Sequence, residues 1–184
     1  SEEDADEYIF TKGYALLSKK EYKEASRCFY TLTGFNSKYK NEAEYYYAYC
    51  EFSQQNYTDA LETFINIGEE SKFYEAAQFH ALQIYDRLQY RSKAVTLGKQ
   101  LVNKFPNSKY NSEAYRILGE NSYFQQNWHD AVEYLKLYSK KTDNINVKRT
   151  FLSILAFIIV LTFIPQESYA YMVKYKEDWY KLYH

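Results

Sequence analysis

The side chains best able to do chemistry are few: three histidines (His80, His129 and His184) and two cysteines (Cys28 and Cys50) in a chain of 184 residues. A metal centre or a nucleophile–base pair needs such groups at short, fixed spacing. His80 and His129 instead stand 49 residues apart, and His184 is the last residue. No HExxH, GxSxG, CxxC or glycine-rich phosphate loop occurs. Carboxylates are plentiful, but they sit at helical spacing beside lysines, the pattern of a solvated helix face. His80 falls at a helix position suited to packing or exposure rather than catalysis. Two cysteines are too few for a disulfide framework and lack metal-ligand spacing, so they read as small apolar residues in helix packing. No catalytic, metal-ligating or cofactor-binding residue emerges, and an enzyme is not expected.

The elements that would position any site are helices. Glycine (5) and proline (2) are scarce, and helix formers dominate. Tyrosine, with 23 copies, is the unusual residue, and it suits thin layered structures with few wholly dry positions. A formal net charge of −1 gives no case for nucleic acid. That average divides into −3 over residues 1–144 and +2 over residues 145–184.

A phrase recurs along the chain. Residues 54–60 read QQNYTDA, residues 125–131 read QQNWHDA, and residues 19–25 read KKEYKEA. A degenerate copy, RSKAVTLGKQLVNKFP, supplies the missing member. With their alanines as anchors (Ala25, Ala60, Ala94 and Ala131) the spacings are 35, 34 and 37 residues. Twelve positions before each anchor stand Gly13, Ala48, Leu82 and Gly119, mostly small. Three positions before it stand Tyr22, Tyr57, Arg91 and Trp128, and four after it Phe29, Phe64, Gly98 and Leu135. A small residue, an anchor and large apolar flanks at helical offsets predict an antiparallel helix pair. Asn41 with Glu44 resembles a capping box, Asn56 and Asn127 stand where second helices should begin, and SEEDADE places acid at a helix start.

On these residues the chain resembles the tetratricopeptide repeat family over roughly residues 5 to 141. Repeats two (Tyr47, Ala48, Tyr57, Ala60, Phe64) and four (Tyr115, Leu118, Gly119, Trp128, Ala131) carry the match. Repeat one keeps Gly13, Tyr22, Ala25 and Phe29. Repeat three departs at Arg91 and Gly98, although Pro106 fits the closing proline. The stretch FPNSKYNSEAYRILGENSYFQQNWHDAVEYL looks most like the bacterial cell-envelope branch of outer-membrane assembly lipoproteins and their periplasmic relatives. The resemblance implies an all-α, right-handed solenoid of about four helix hairpins (6–39, 41–74, 75–108 and 112–144). It implies a non-catalytic scaffold that holds a protein or peptide in its concave groove. The groove positions carried across are Phe10, Tyr14 and Leu17, then Tyr45, Tyr49 and Phe52. Repeats three and four add Phe79, Gln83, Asp86 and Arg87, then Arg116, Glu120, Tyr123 and Phe124. A subclass that clamps C-terminal carboxylates uses asparagine where this chain has Tyr14, Tyr49 and Gln83, so that ligand is not expected.

Residues 145–184 break the pattern. Lys148 and Arg149 precede an uncharged run, Thr150 to Gln166, and Ser168-Tyr169-Ala170 follows. This matches a secretory signal peptide, which belongs at an N-terminus. Three readings stand: a composite of two proteins, a short membrane anchor contacting lipid through 150–166, or an apolar helix capping repeat four. Repeats that stop at Asn144 favour the composite. Ser1 in place of Met is expected of a processed or partial chain, with room for further repeats. The oligomeric state and the partner stay open, and the expected location is the bacterial envelope, periplasmic or membrane-associated.

Overall fold

The computed structural model describes residues 2–34 and 37–141, with residues 149, 153, 156 and 157 beyond them. These are all helical or in connecting turns, without a strand among the described residues. Eight main helices follow in order: α1 (Glu2–Ser18), α2 (Tyr22–Thr33), α3 (Lys40–Ser53), α4 (Tyr57–Asn66), α5 (Tyr74–Arg87), α6 (Arg91–Lys104), α7 (Asn111–Phe124) and α8 (Trp128–Lys141). Each packs on the helix before and the helix after it, and α5 also touches α3 and α7. Turns of three residues join α1 to α2, α3 to α4, α5 to α6 and α7 to α8. Such short turns between mutually packed helices make each pair antiparallel.

The recurring phrase is the wall of these turns. Lys20, Gln55, Gln89 and Gln126 all hold left-handed backbone, with φ of 63°, 68°, 60° and 61°. The residue after each returns its N–H five positions: Glu21 to Leu16 O (3.0 Å), Asn56 to Glu51 O (2.9 Å), Tyr90 to Tyr85 O (2.8 Å) and Asn127 to Ser122 O (2.9 Å). These are Schellman turns, which normally place glycine at the left-handed position. Here glutamine or lysine occupies it every time, at the same spacing as the alanine anchors.

Those anchors are the tightest points of the core. Ala25, Ala60, Ala94 and Ala131 are all 0% exposed. Opposite the last, a Cβ on Gly119 would lie 2.5 Å from Leu135 Cγ, so glycine is what lets α7 and α8 approach this closely. The apolar interior runs as a series of clusters, from Ala25, Phe29 and Leu32 through Phe64 and Ile84 to Leu82, Ile117 and Leu118.

Helix starts differ in part from expectation. Asn41 and Glu44 form no capping box, because α3 begins at Lys40 with Tyr39 at its N-cap. Asn56 does precede α4 but makes no side-chain cap. Its Nδ2 donates instead to Glu51 Oε2 (2.6 Å). Asn127 does cap α8, accepting the Asp130 N–H at Oδ1 (3.3 Å) and donating from Nδ2 to Asp130 Oδ2 (2.9 Å). Of the segment 145–184, all but Arg149, Ser153, Ala156 and Phe157 lies outside the described residues. Phe157 packs against the cluster of Tyr123 and Ala131. No helix among the described residues is long and apolar enough to cross a membrane.

Candidate partner-binding face

The first helix of each pair carries the candidate residues, and one motif positions these helices. The turns entering α3, α5 and α7 read SKY at 37–39, SKF at 71–73 and SKY at 108–110. In each, the serine Oγ accepts the N–H of the aromatic residue two positions on, at 3.2 Å in Ser37–Tyr39, 3.2 Å in Ser71–Phe73 and 3.0 Å in Ser108–Tyr110. This bond closes a small turn and turns the aromatic ring back onto the preceding first helix. Tyr39 stacks on Phe10 at 4.6 Å and 15°, Phe73 on Tyr45 at 4.4 Å and 12°, and Tyr110 on Phe79 at 4.5 Å and 17°. In the first two turns the lysine reaches the glutamate three positions before the stacked ring, Lys38 to Glu7 (3.8 Å) and Lys72 to Glu42; at the third turn Ala76 stands in that place. Three stacked ring pairs therefore clamp each helix pair to the next. Sequence reasoning missed this motif, although SKY and SKF at spacings of 34 and 37 residues were there to be counted.

The clamps divide the candidate groove residues. Phe79 (6% exposed) and Tyr123 (8%) are buried in the core, which leaves them little surface for a partner. Tyr45 is half-buried beneath Phe73, and burial pushes its phenol well above the usual range, so it stays a neutral donor. Tyr14 is half exposed and meets Tyr46 edge-on at 5.6 Å. Tyr49 and Phe52 on α3 surround His80 on α5, with ring centroids at 5.5 and 5.2 Å. His80 Nδ1 donates to Gln83 Oε1 (3.0 Å), which leaves Nε2 facing the Tyr45 hydroxyl at 3.5 Å. Burial lowers the His80 pKa, partly offset by that bond to Gln83. His80 is thus a neutral, packed ring that ties α3 to α5. Arg87 lies at the end of this row, its guanidinium over Phe52 at 4.9 Å and bonded to the Tyr57 hydroxyl at 2.7 Å.

Towards α7 the face becomes charged. Arg116 holds Glu113 through Nε (3.0 Å) and Nη2 (2.8 Å), Glu120 through Nη1, and Asp86 across the junction through Nη2 at 3.3 Å. Asp86 also accepts from Asn121 Nδ2 at 2.6 Å. Arg116 occupies the position held in the earlier pairs by Phe10, Tyr45 and Phe79, so an ionic network replaces a stacked ring there. Of the candidates, Tyr45, Tyr49, Phe52, Gln83, Arg87, Arg116 and Glu120 lie on the continuous α3–α5–α7 side. Tyr14 is separate, near Tyr46.

Three further features lie off this face. Glu51 is only 8% exposed, accepts hydrogen bonds from Ser26, Gln54 (3.3 Å) and Asn56 (2.6 Å), and has no cation among the described residues. The doubled QQN thus does different work in its two copies: at 54–56 it satisfies a buried acid, and at 125–127 it caps α8. His129, Asp130 and Glu133 lie within 4.8 Å of one another at the start of α8. Asp130 is already engaged by Lys99 Nζ at 2.6 Å as well as by Asn127. Burial pushes the Cys50 thiol up to about 12, which makes it a packing residue rather than a nucleophile.

No protein-family model matches the chain. No curated protein matches it either.

Proposed function

We propose that the four helix pairs stack as a right-handed solenoid of tetratricopeptide-repeat type and that the chain is a non-catalytic scaffold. Its α1–α3–α5–α7 side holds a segment of a protein partner, in the setting of a bacterial envelope. Nearest-neighbour packing of antiparallel pairs, with α3 touching α5, α5 touching α7, and α1 meeting α3 through Phe10 and Tyr14 against Tyr46, supports a solenoid. The observation that carries the binding role is the row Tyr49–Phe52–Gln83–Arg87. These side chains keep part of their surface open while His80 and Tyr57 hold them in place. Rigid aromatics beside an arginine are the composition of interface anchors, since little side-chain freedom is left to lose on binding.

The test is selection of short peptides from a displayed random library against the full chain, followed by affinity measurement with Tyr49→Ala and Gln83→Ala. Peptides that lose about tenfold or more in affinity with either variant, at unchanged helical circular dichroism, support the groove. Peptides indifferent to both variants, or no enrichment at all, refute it. Arg116→Ala is a poor probe, because Arg116 also bonds α5 to α7 and its loss would strand three carboxylates. For residues 145–184 the capping reading gains support from Phe157 against Tyr123 and Ala131.

A further inference from the structure

The turn between α5 and α6 differs in charge from its three counterparts. Residues 87–93 read RLQYRSK, with three cations and no acid. The matching seven residues elsewhere are SKKEYKE (18–24), SQQNYTD (53–59) and FQQNWHD (124–130), each with at least one acid. Five described cations meet carboxylates: Lys38, Lys72, Lys99, Lys104 and Arg116, with Lys104 on Glu69 and Lys99 on Asp130 both at 2.6 Å. Among the described residues Arg87, Arg91 and Lys93 have no such partner. The acid nearest to them in sequence, Asp86, is taken by Arg116 and Asn121.

Aromatic rings hold these three cations instead. Arg87 lies over Phe52 (4.9 Å) and Tyr57 (5.6 Å), Arg91 over Phe124 (4.2 Å), and Lys93 between Tyr85 and Tyr90 (5.6 Å each). A ring face orients a cation without neutralising it. A stacked guanidinium also keeps its in-plane N–H groups turned outward, where they can grip a carboxylate with two bonds. Arg91 stands where the other pairs have Tyr22, Tyr57 and Trp128, so this turn carries charge in place of a ring. Tyr90, 51% exposed, adds an apolar surface among the charges.

We propose that the α5–α6 turn is a docking site for a short acidic segment of the partner protein, its carboxylates received by Arg87, Arg91 and Lys93. This rests on the scaffold reading and names the chemistry of its partner. A nucleic acid is the poorer fit: residues 1–144 carry a net −3, and three charges on one turn make no track for a phosphate backbone.

Fluorescence anisotropy of the full chain with a short labelled peptide rich in Glu around a central Leu tests this, beside its Gln twin and a single-stranded DNA of equal charge. The expected result is binding of the acidic peptide that weakens with salt, the Gln twin weaker by about tenfold, and DNA no tighter than that twin. Arg91→Gln with Lys93→Gln should weaken the acidic peptide roughly five- to tenfold, and Arg91→Lys, which keeps the charge but loses the two-bond grip, should weaken it by less than that. Equal binding of the Gln twin, equal binding of DNA, no binding, or indifference to the double substitution each overturns the proposal. If library-selected peptides still depend on Tyr49 but ignore Arg91 and Lys93, this inference fails and the groove stands. If none depends on Tyr49 either, the scaffold reading fails with it.

Discussion

The clamp between Phe73 and Tyr45 makes the most direct test of how the pairs are joined. Their rings lie parallel at 4.4 Å, and Tyr46 meets the same Phe73 ring edge-on at 5.5 Å. An aromatic pair in either arrangement contributes about 0.5–1.5 kcal/mol beyond its buried area. Phe73→Leu keeps most of the apolar surface but removes both ring pairs, so it should cost about 1–3 kcal/mol. A cycle with Tyr45→Leu then isolates the stacked pair, because the effects of Tyr45 on His80 and of Phe73 on Tyr46 cancel. The expected coupling is about 0.5–1.5 kcal/mol from urea unfolding followed by circular dichroism at constant m value. Phe73→Tyr serves as the control: Tyr39 and Tyr110 fill the equivalent place, so its effect should stay within about 0.5 kcal/mol. A coupling indistinguishable from zero, with both single substitutions still destabilising, would refute the argument. The rings would then be apolar filling, and the SK-aromatic motif would not be what joins one pair to the next.

Two other predictions concern pH and backbone. His80 has its folded pKa lowered below the usual 6.5 by burial, so the native state binds fewer protons than the unfolded chain between the two values. Its contribution is fully present above about pH 6.5 and is lost as pH falls through the folded value. The urea midpoint should therefore drop from pH 7 to pH 5 more steeply in the native chain than in His80→Gln, and equal slopes would show that His80 is not the group responsible. At the left-handed Gln55, Val should cost about 1–2 kcal/mol, whereas Gly should stay within about 0.5 kcal/mol of the native residue. Thermal melting decides this, and a Val variant as stable as the Gly variant would rule out the left-handed turn.

The positions of the helices could be read from the chain because they rest on local rules. Alanines at near-constant spacing marked where paired helices touch, and all four anchors are fully buried. The starts of the first helices could not be placed from capping rules alone. Asn41 is a strong N-cap type, yet Ser37 closes the turn earlier, and the stacking of Tyr39 on Phe10 fixes Lys40 as the first residue of α3. Among candidate site residues, those near the α3 and α5 ends retain surface, whereas Phe79 and Tyr123 sit in the core. Their type and register match those of their exposed neighbours. What separates them is tertiary: Phe79 is enclosed in the cluster of Leu101, Val102 and Ala114, and Tyr123 in that of Ala131, Trp128 and Phe157. Glu51 was invisible for a similar reason, since its burial needs α2 to lie across α3 and bring Ser26 to it.

The ring clamps also bear on how the chain could assemble during synthesis. Phe10 and Tyr39, Tyr45 and Phe73, and Phe79 and Tyr110 are separated by 29, 28 and 31 residues. The entropy of closing a loop grows only with the logarithm of its length, so three nearly equal loops cost nearly the same to close. No clamp waits for a distant part of the chain. Each ring pair can close once its own thirty or so residues have left the ribosome, on a platform the previous pair has already built, and short-range closures of this kind belong to fast-folding chains.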